Sequence, residues 1–177
     1  MHDLKFPIGE FTFNKEESSA KLMELISNIE QFPQELKEAI QNITIEQVNL
    51  KYRAQGWSIK QVIHHCSDSH MNSFIRFKLA LTEENAVIRS YFEDKWAELS
   101  DSLDNDISDS VLLITAIHSK WTKFLKTLNP EELKIEFIHP EHGTKISLLE
   151  NIAFYSWHCK HHLAHIKLAL SSEVKYR

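Results

Sequence analysis

The stretch that decides the fold is Tyr155-Ser-Trp-His158-Cys-Lys-His161-His162-Leu-Ala-His165-Ile166. Residues three, four and seven apart share one face of a helix. His158, His162 and His165 therefore align with Asn151, Tyr155 and Ala169 in one stripe. Leu148, Ile152, Cys159, Leu163, Ile166 and Leu170 form a second stripe that is structural. The histidine stripe thus borders the core rather than open water. Ser147 followed by Glu150 has the form of a capping box that starts this helix, which is predicted to run to about Leu170.

Working outward, the same periodicity recurs three times. Leu22, Leu25, Ile26, Ile29, Leu36, Ala39 and Ile40 place a helical region over about 15–42. Pro33 is predicted to kink or restart it, because proline lacks the N–H donor. Ser58 with Gln61 is a second capping box, opening a helix to about Leu81. Its apolar face is Ile59, Ile63, Cys66, Phe74, Phe77 and Leu81; His65 lies off that face, in line with Gln61, Ser69, Asn72 and Arg76. Ser108 or Asp109 caps a further helix to about Leu128, with Leu113, Ile117, Trp121, Phe124 and Leu128 as its core stripe.

Between these lie shorter pieces. Residues 1–13 read as an extended arm, and Thr44 caps a short turn over Ile45–Val48. The stretch 82–107 is polar and loop-like, although Tyr91, Phe92 and Trp96 should pack. Residues 134–147 alternate around His142-Gly143, the pattern of a small hairpin. Four long helices predict an all-α four-helix bundle with short extra helices, as one domain over 1–177.

Composition narrows the function classes. A net charge of −5 without a basic cluster argues against a nucleic-acid binder. No apolar run approaches a membrane span. Asp3, Lys5 and Glu10, with no apolar core behind them, do not read as a signal peptide. Two cysteines, Cys66 and Cys159, are too few for a disulfide scaffold and suggest a reducing, cytoplasmic setting. Only 3 glycines favour helix, and 11 histidines are the one clear excess.

That excess points to metal. Two imidazoles four residues apart can grip one ion, and a third from another helix completes a His₃ site with an open position. His158–His162 and His161–His165 both have the spacing, and geometry barely separates them. The third ligand would come from His64-His65, where His65 lies on the cleft-like stripe and His64, about 100° away, is expected to be solvated. His70, on the apolar face, reads as a satisfied core histidine. His118 is unassigned, and His139 and His142, flanking a turn, are expected to be exposed. Cys159 stands where a zinc protease carries its glutamate, so no built-in base accompanies the pair. Asp68, one turn from His65, is the candidate to orient that imidazole or accept a proton. Asn72 and Arg76 are candidates for holding an anionic substrate group.

The stretch Tyr52–Glu84, centred on Gln55-Gly-Trp-Ser-Ile-Lys-Gln-Val-Ile-His-His65, resembles the YfiT-like metal-dependent hydrolases of the DinB-like superfamily. The arm Phe6-Pro-Ile-Gly-Glu-Phe11 and the late Trp-His-x-x-His-His-x-x-His-Ile pattern also match, so the resemblance spans nearly the whole chain. It implies a DinB-type four-helix bundle of unusual connectivity and a homodimer. It also implies one divalent metal per subunit, zinc or nickel, held by His65, His158 and His162. Family patterns have Leu and Ser where this chain has Cys66 and Cys159, and often His at Lys160; none of these is a ligand position.

Three readings of the activity follow. The first is a metal-dependent hydrolase acting on a small molecule through activated water. The second is a low-molecular-weight thiol S-transferase of the bacillithiol type, in which the ion holds a thiolate that attacks an electrophile. The third is a non-catalytic metal-binding bundle, which would normally offer four protein ligands.

Overall fold

A computed structural model describes residues 4–141, 143–171 and 176 of the chain. Asn14 opens α1 (Lys15–Ala20) by accepting the Glu17 N–H at 3.1 Å, and α2 (Leu22–Ala39) follows after a one-residue bend at Lys21. The predicted restart at Pro33 does not occur: α2 runs through it. Proline inside a helix costs about 3 kcal/mol, largely by orphaning the carbonyl four residues back. Here that carbonyl belongs to Ile29, and His118 Nδ1 donates to it from another helix at 2.5 Å. Ile26, Ile29, Phe32 and Leu36 are all buried. At about 1.5–3 kcal/mol each, their burial outweighs the remaining cost.

Thr44 and Gln47 form a reciprocal capping box on α3 (Ile45–Val48), and Ser58 and Gln61 form another on α4 (Ile59–Thr82). The stretch read as loop-like contains α5 (Glu93–Trp96). It also packs: Ala86, Ile88, Ala97 and Ser102 are buried, and Ile138 N–H donates to the Ala86 carbonyl at 2.8 Å. Neither Ser108 nor Asp109 caps α6 (Ser108–Leu125); Asp106 Oδ1 accepts the Ser108 N–H at 2.9 Å. The buried face of α6 is also rotated from the expected stripe. Ile114, His118, Trp121, Thr122 and Leu125 are buried, while Leu113 is exposed. The polar pair is tolerated because it is bonded: Thr122 Oγ1 donates to the His118 carbonyl at 2.8 Å.

A short 3₁₀ turn at Glu132–Lys134 leads to the expected hairpin, β1 (Glu136–His139) and β2 (Thr144–Ser147), antiparallel with Phe137 opposite Ile146. Ser147 Oγ then accepts the Glu150 N–H at 3.1 Å and starts α7 (Leu148–Ser171).

The long helices α2, α4, α6 and α7 form the bundle. α2 packs on α6 and α7, and α4 packs on the same two. Helices consecutive in the chain, α2 then α4 and α6 then α7, therefore lie across the diagonals, which the long connections permit. α7 is buried on both of its stripes. Cys66 and Cys159 are free and buried, and burial pushes both thiols up. Among the described residues no helix is long and apolar enough to cross a membrane.

Candidate metal centre

α4 and α7 are neighbours, and their facing sides bring three imidazoles together. His65 Nε2 lies 3.3 Å from His158 Nε2, which lies 3.1 Å from His162 Nε2. Nitrogens about 2.0–2.1 Å from one tetrahedral ion are about 3.3 Å apart. The helical register supplies His158 and His162 on one face, and the packing of α4 on α7 supplies His65. Trp57 packs on His65 with ring centroids 4.8 Å apart, and Phe154 packs on His158 at 5.6 Å. All three histidines are buried.

Burial keeps these rings neutral. It pushes His65 down to about 3, helped by His161. It holds His158 and His162 well below the ordinary histidine value, the neighbouring imidazoles adding to the effect. A neutral imidazole can offer a lone pair at the point where the three Nε2 atoms converge and acts there as a ligand rather than a proton carrier, so this donor set fits a divalent ion.

The three rings border a cleft of about 1080 Å³. Its walls carry Phe11, Trp57, Phe154 and Trp157, and polar groups enter from Arg76, Glu93 and Glu150. Arg76 Nε is buried there without a hydrogen-bond partner. Burial raises the Glu93 carboxyl, and Arg76 opposes that shift. Glu150 is raised by burial and by Glu136.

Of the residues proposed from sequence, Arg76 lines this cleft, but Asp68 and Asn72 are not among its lining residues. Asn72 Nδ2 instead donates to the Asp68 carbonyl at 2.9 Å. The Asp68 carboxyl is raised to about 6 by burial and by Asp101. His64, expected in solvent, is buried; its Nδ1 lies 2.8 Å from Ser110 Oγ and its Nε2 3.2 Å from the Asp104 carbonyl. His139 is half-buried rather than exposed. His142 lies outside the described residues. His70, as expected, is buried and bonded through both ring nitrogens.

Two further groups of potential ligands lie nearby: His70, His118 and Cys159, and His161, His162 and His165. The alternative pair His161–His165 thus shares His162 but not His65. His161 stacks on Trp157, centroids 4.4 Å apart and 20° from parallel. Sequence reasoning missed Glu93, Glu150 and the arm residues Lys5, Phe6 and Phe11 as cleft lining. The arm and the α5 segment carry no periodic signal. For Glu150, its cleft position needs the partner helices.

Known proteins resemble this chain over most of its length. A family model described as the DinB superfamily matches residues 28–166. A relative from Oceanobacillus iheyensis is 48% identical over 162 residues, covering 92% of this chain and 93% of the relative. One from Bacillus cereus is 45% identical over 168 residues, covering 94% and 95%. Both are provisionally named metal-dependent hydrolases. The solved structure of YfiT from Bacillus subtilis, described as a probable metal-dependent hydrolase with an unusual four-helix bundle topology, is 42% identical. It superposes with a TM-score of 0.84, covering 92% of this chain and 93% of that one.

Proposed function

This chain belongs to the DinB superfamily, and we propose that it is a metal-dependent hydrolase of a small, anionic substrate. His65, His158 and His162 hold one divalent ion, zinc or nickel, per subunit. The observation that carries the reading is the trio of Nε2 atoms spaced 3.1 and 3.3 Å apart at the wall of an open cleft. Three protein ligands leave a position free on the cleft side, as catalytic sites require. When bound, the ion supplies Lewis acidity: it lowers the pKa of a water to about 7, ionises a thiol, or polarises a carbonyl.

The protein's own groups do the rest. The aromatic wall takes an apolar substrate body and excludes water. Arg76, with its unpartnered Nε, takes an anionic group by a charge-assisted hydrogen bond. Glu93, raised by burial, is suited to receive and return a proton. The proposal includes a homodimer, as the family resemblance implies, which light scattering reads directly.

A second reading is S-transfer of a low-molecular-weight thiol. What favours it is Arg76, whose unpartnered Nε in the cleft would suit a carboxylated thiol. Ionising a thiol at a metal needs no protein base. Metal analysis of protein purified without an affinity tag, followed by turnover assays, separates the readings. Hydrolysis predicts turnover of an ester and amide panel without thiol. Transfer predicts consumption of a haloalkane-type electrophile only with thiol present. Stoichiometric metal retained in both His65→Ala and His162→Ala overturns the ligand assignment.

A further inference from the structure

Each neutral imidazole has one N–H and one lone pair, so a carbonyl at the end of a histidine chain fixes the direction of every bond in it. Two such chains lead to the proposed metal ligands. In the first, His118 Nδ1 lies 2.5 Å from the Ile29 carbonyl, which can only accept. The proton is therefore on Nδ1, and His118 Nε2 offers a lone pair. His70 Nδ1, 2.7 Å away, donates to it. His70 Nε2 is then bare and accepts from His158 Nδ1 at 3.0 Å. His158 Nε2 is left without a proton, aimed at the point it shares with His65 and His162.

The second chain is shorter and ends on the N-terminal arm. His165 Nε2 lies 3.2 Å from the Lys5 carbonyl and donates to it. His165 Nδ1 then accepts from His162 Nδ1 at 3.5 Å, a longer contact. His162 Nε2 is left bare as well. Tyr52 stacks on His165 with centroids 3.8 Å apart and holds that ring in place.

We propose that His70, His118 and His165 are positioning residues: two hydrogen-bonded histidine relays, anchored on the Ile29 and Lys5 carbonyls, fix His158 and His162 in the tautomer that presents Nε2 to the metal. The origin of the first relay is in the sequence of another helix. Pro33 cannot supply the N–H that Ile29 would normally bond, which leaves that carbonyl for His118. The relays also give the other two histidine groups a role that needs no metal. The 2.7 Å between His70 and His118 is a hydrogen-bond length, shorter than the ~3.3 Å between nitrogens sharing a tetrahedral ion. His165 spends its Nε2–H on Lys5 and its lone pair on His162.

This inference rests on the metal-site reading, and the tests keep the two apart. Long-range ¹H–¹⁵N correlation spectra of the wild-type protein, labelled at histidine, read the tautomers without any substitution. The expected result is Nδ1–H on His70 and His118 and Nε2–H on His165; the opposite tautomer at any of these overturns its relay. Zinc titration against a chelator then reads function. Wild-type protein should bind one ion per chain, and absence of binding would defeat the metal-site reading itself. His118→Phe removes the acceptor for His70 and, acting through His70, should weaken zinc affinity by up to about 10–100-fold, the range for groups bonded directly to ligand histidines. His118→Gln keeps an acceptor and should recover most of the loss. A purely structural role would lower the melting temperature of both variants without separating their zinc affinities. That result, or a second ion bound per chain, overturns the proposal.

Discussion

His65 Nε2 and His158 Nε2 face each other at 3.3 Å across the α4–α7 interface. Without an ion, a neutral His65 can donate its Nε2–H to the bare His158 Nε2. A cation there replaces that single hydrogen bond with bonds to three nitrogens and clasps the two helices together. Metal binding should therefore stabilise the fold by mass action. At a free ion concentration about a thousandfold above Kd the gain is about 4 kcal/mol. For a chain of this size that corresponds to a rise in Tm of about 8–16 °C. Calorimetry with and without chelator measures it, and an unchanged Tm in protein shown to bind metal would contradict the clasp.

Acid should unfold the metal-free protein early. Burial holds His65 near 3 and His118, His161 and His165 near 4 in the folded chain. Unfolded, each titrates near 6.5. Their folded pKa values are depressed, so below about 6.5 the unfolded state binds more protons and stability falls with pH. Each such histidine removes up to about 1.4 kcal/mol per pH unit until its folded value is reached. Several acting together exhaust a stability of about 5–15 kcal/mol. Circular dichroism of chelated protein should show loss of helix between about pH 5.5 and 4.5. A flat signal down to pH 4 would contradict the neutral, buried histidine cluster.

The parts of this molecule that repeat with helical period were legible in its sequence. The capping boxes at Ser58 and Ser147 and the two stripes of α7 need only local spacing, and they place the bundle helices well. Other features required the partner helix. The rotation of α6 turned on His118, which local spacing left unassigned and which is buried with the Ile29 carbonyl as its partner. The uninterrupted passage of α2 through Pro33 has the same cause. His64 was expected in solvent because it turns away from the His65 stripe, and Ser110 and Asp104 on neighbouring segments bury and partner it. The ligand spacing on α7 left two histidine pairs open. The family resemblance favoured one of them, and the arrival of α4 is the physical reason that His158 and His162 are the pair that meets His65.

Arg76 should decide charge preference in the cleft. Its Nε is buried and unpartnered, so an anionic substrate group would gain a charge-assisted hydrogen bond of about 1.5–3 kcal/mol. Arg76→Leu should raise KM for an anionic substrate about 10–100-fold, while a neutral analogue changes little. Equal losses for both substrates would show that Arg76 supports the fold rather than recognition.

Asp68 offers a test with the opposite sign. Its carboxyl is raised to about 6 by burial and by Asp101, so its charged form costs the fold free energy near neutral pH. The folded pKa lies above the unfolded one. The group's contribution is therefore most favourable below the unfolded value of about 3.9 and is lost as pH rises through about 6. Asp68→Asn removes that charge. Because the group is partly exposed, solvent screening reduces the gain to about 1 kcal/mol. At pH 7 the variant should melt about 2–4 °C higher than wild type. The advantage should shrink as pH falls towards 4, read on metal-loaded protein where that still folds. Since Asp68 does not line the cleft, kcat should stay within about threefold of wild type. A large loss of kcat together with the stability gain would return Asp68 to the catalytic site and require α4 to turn its face towards the cleft during the reaction.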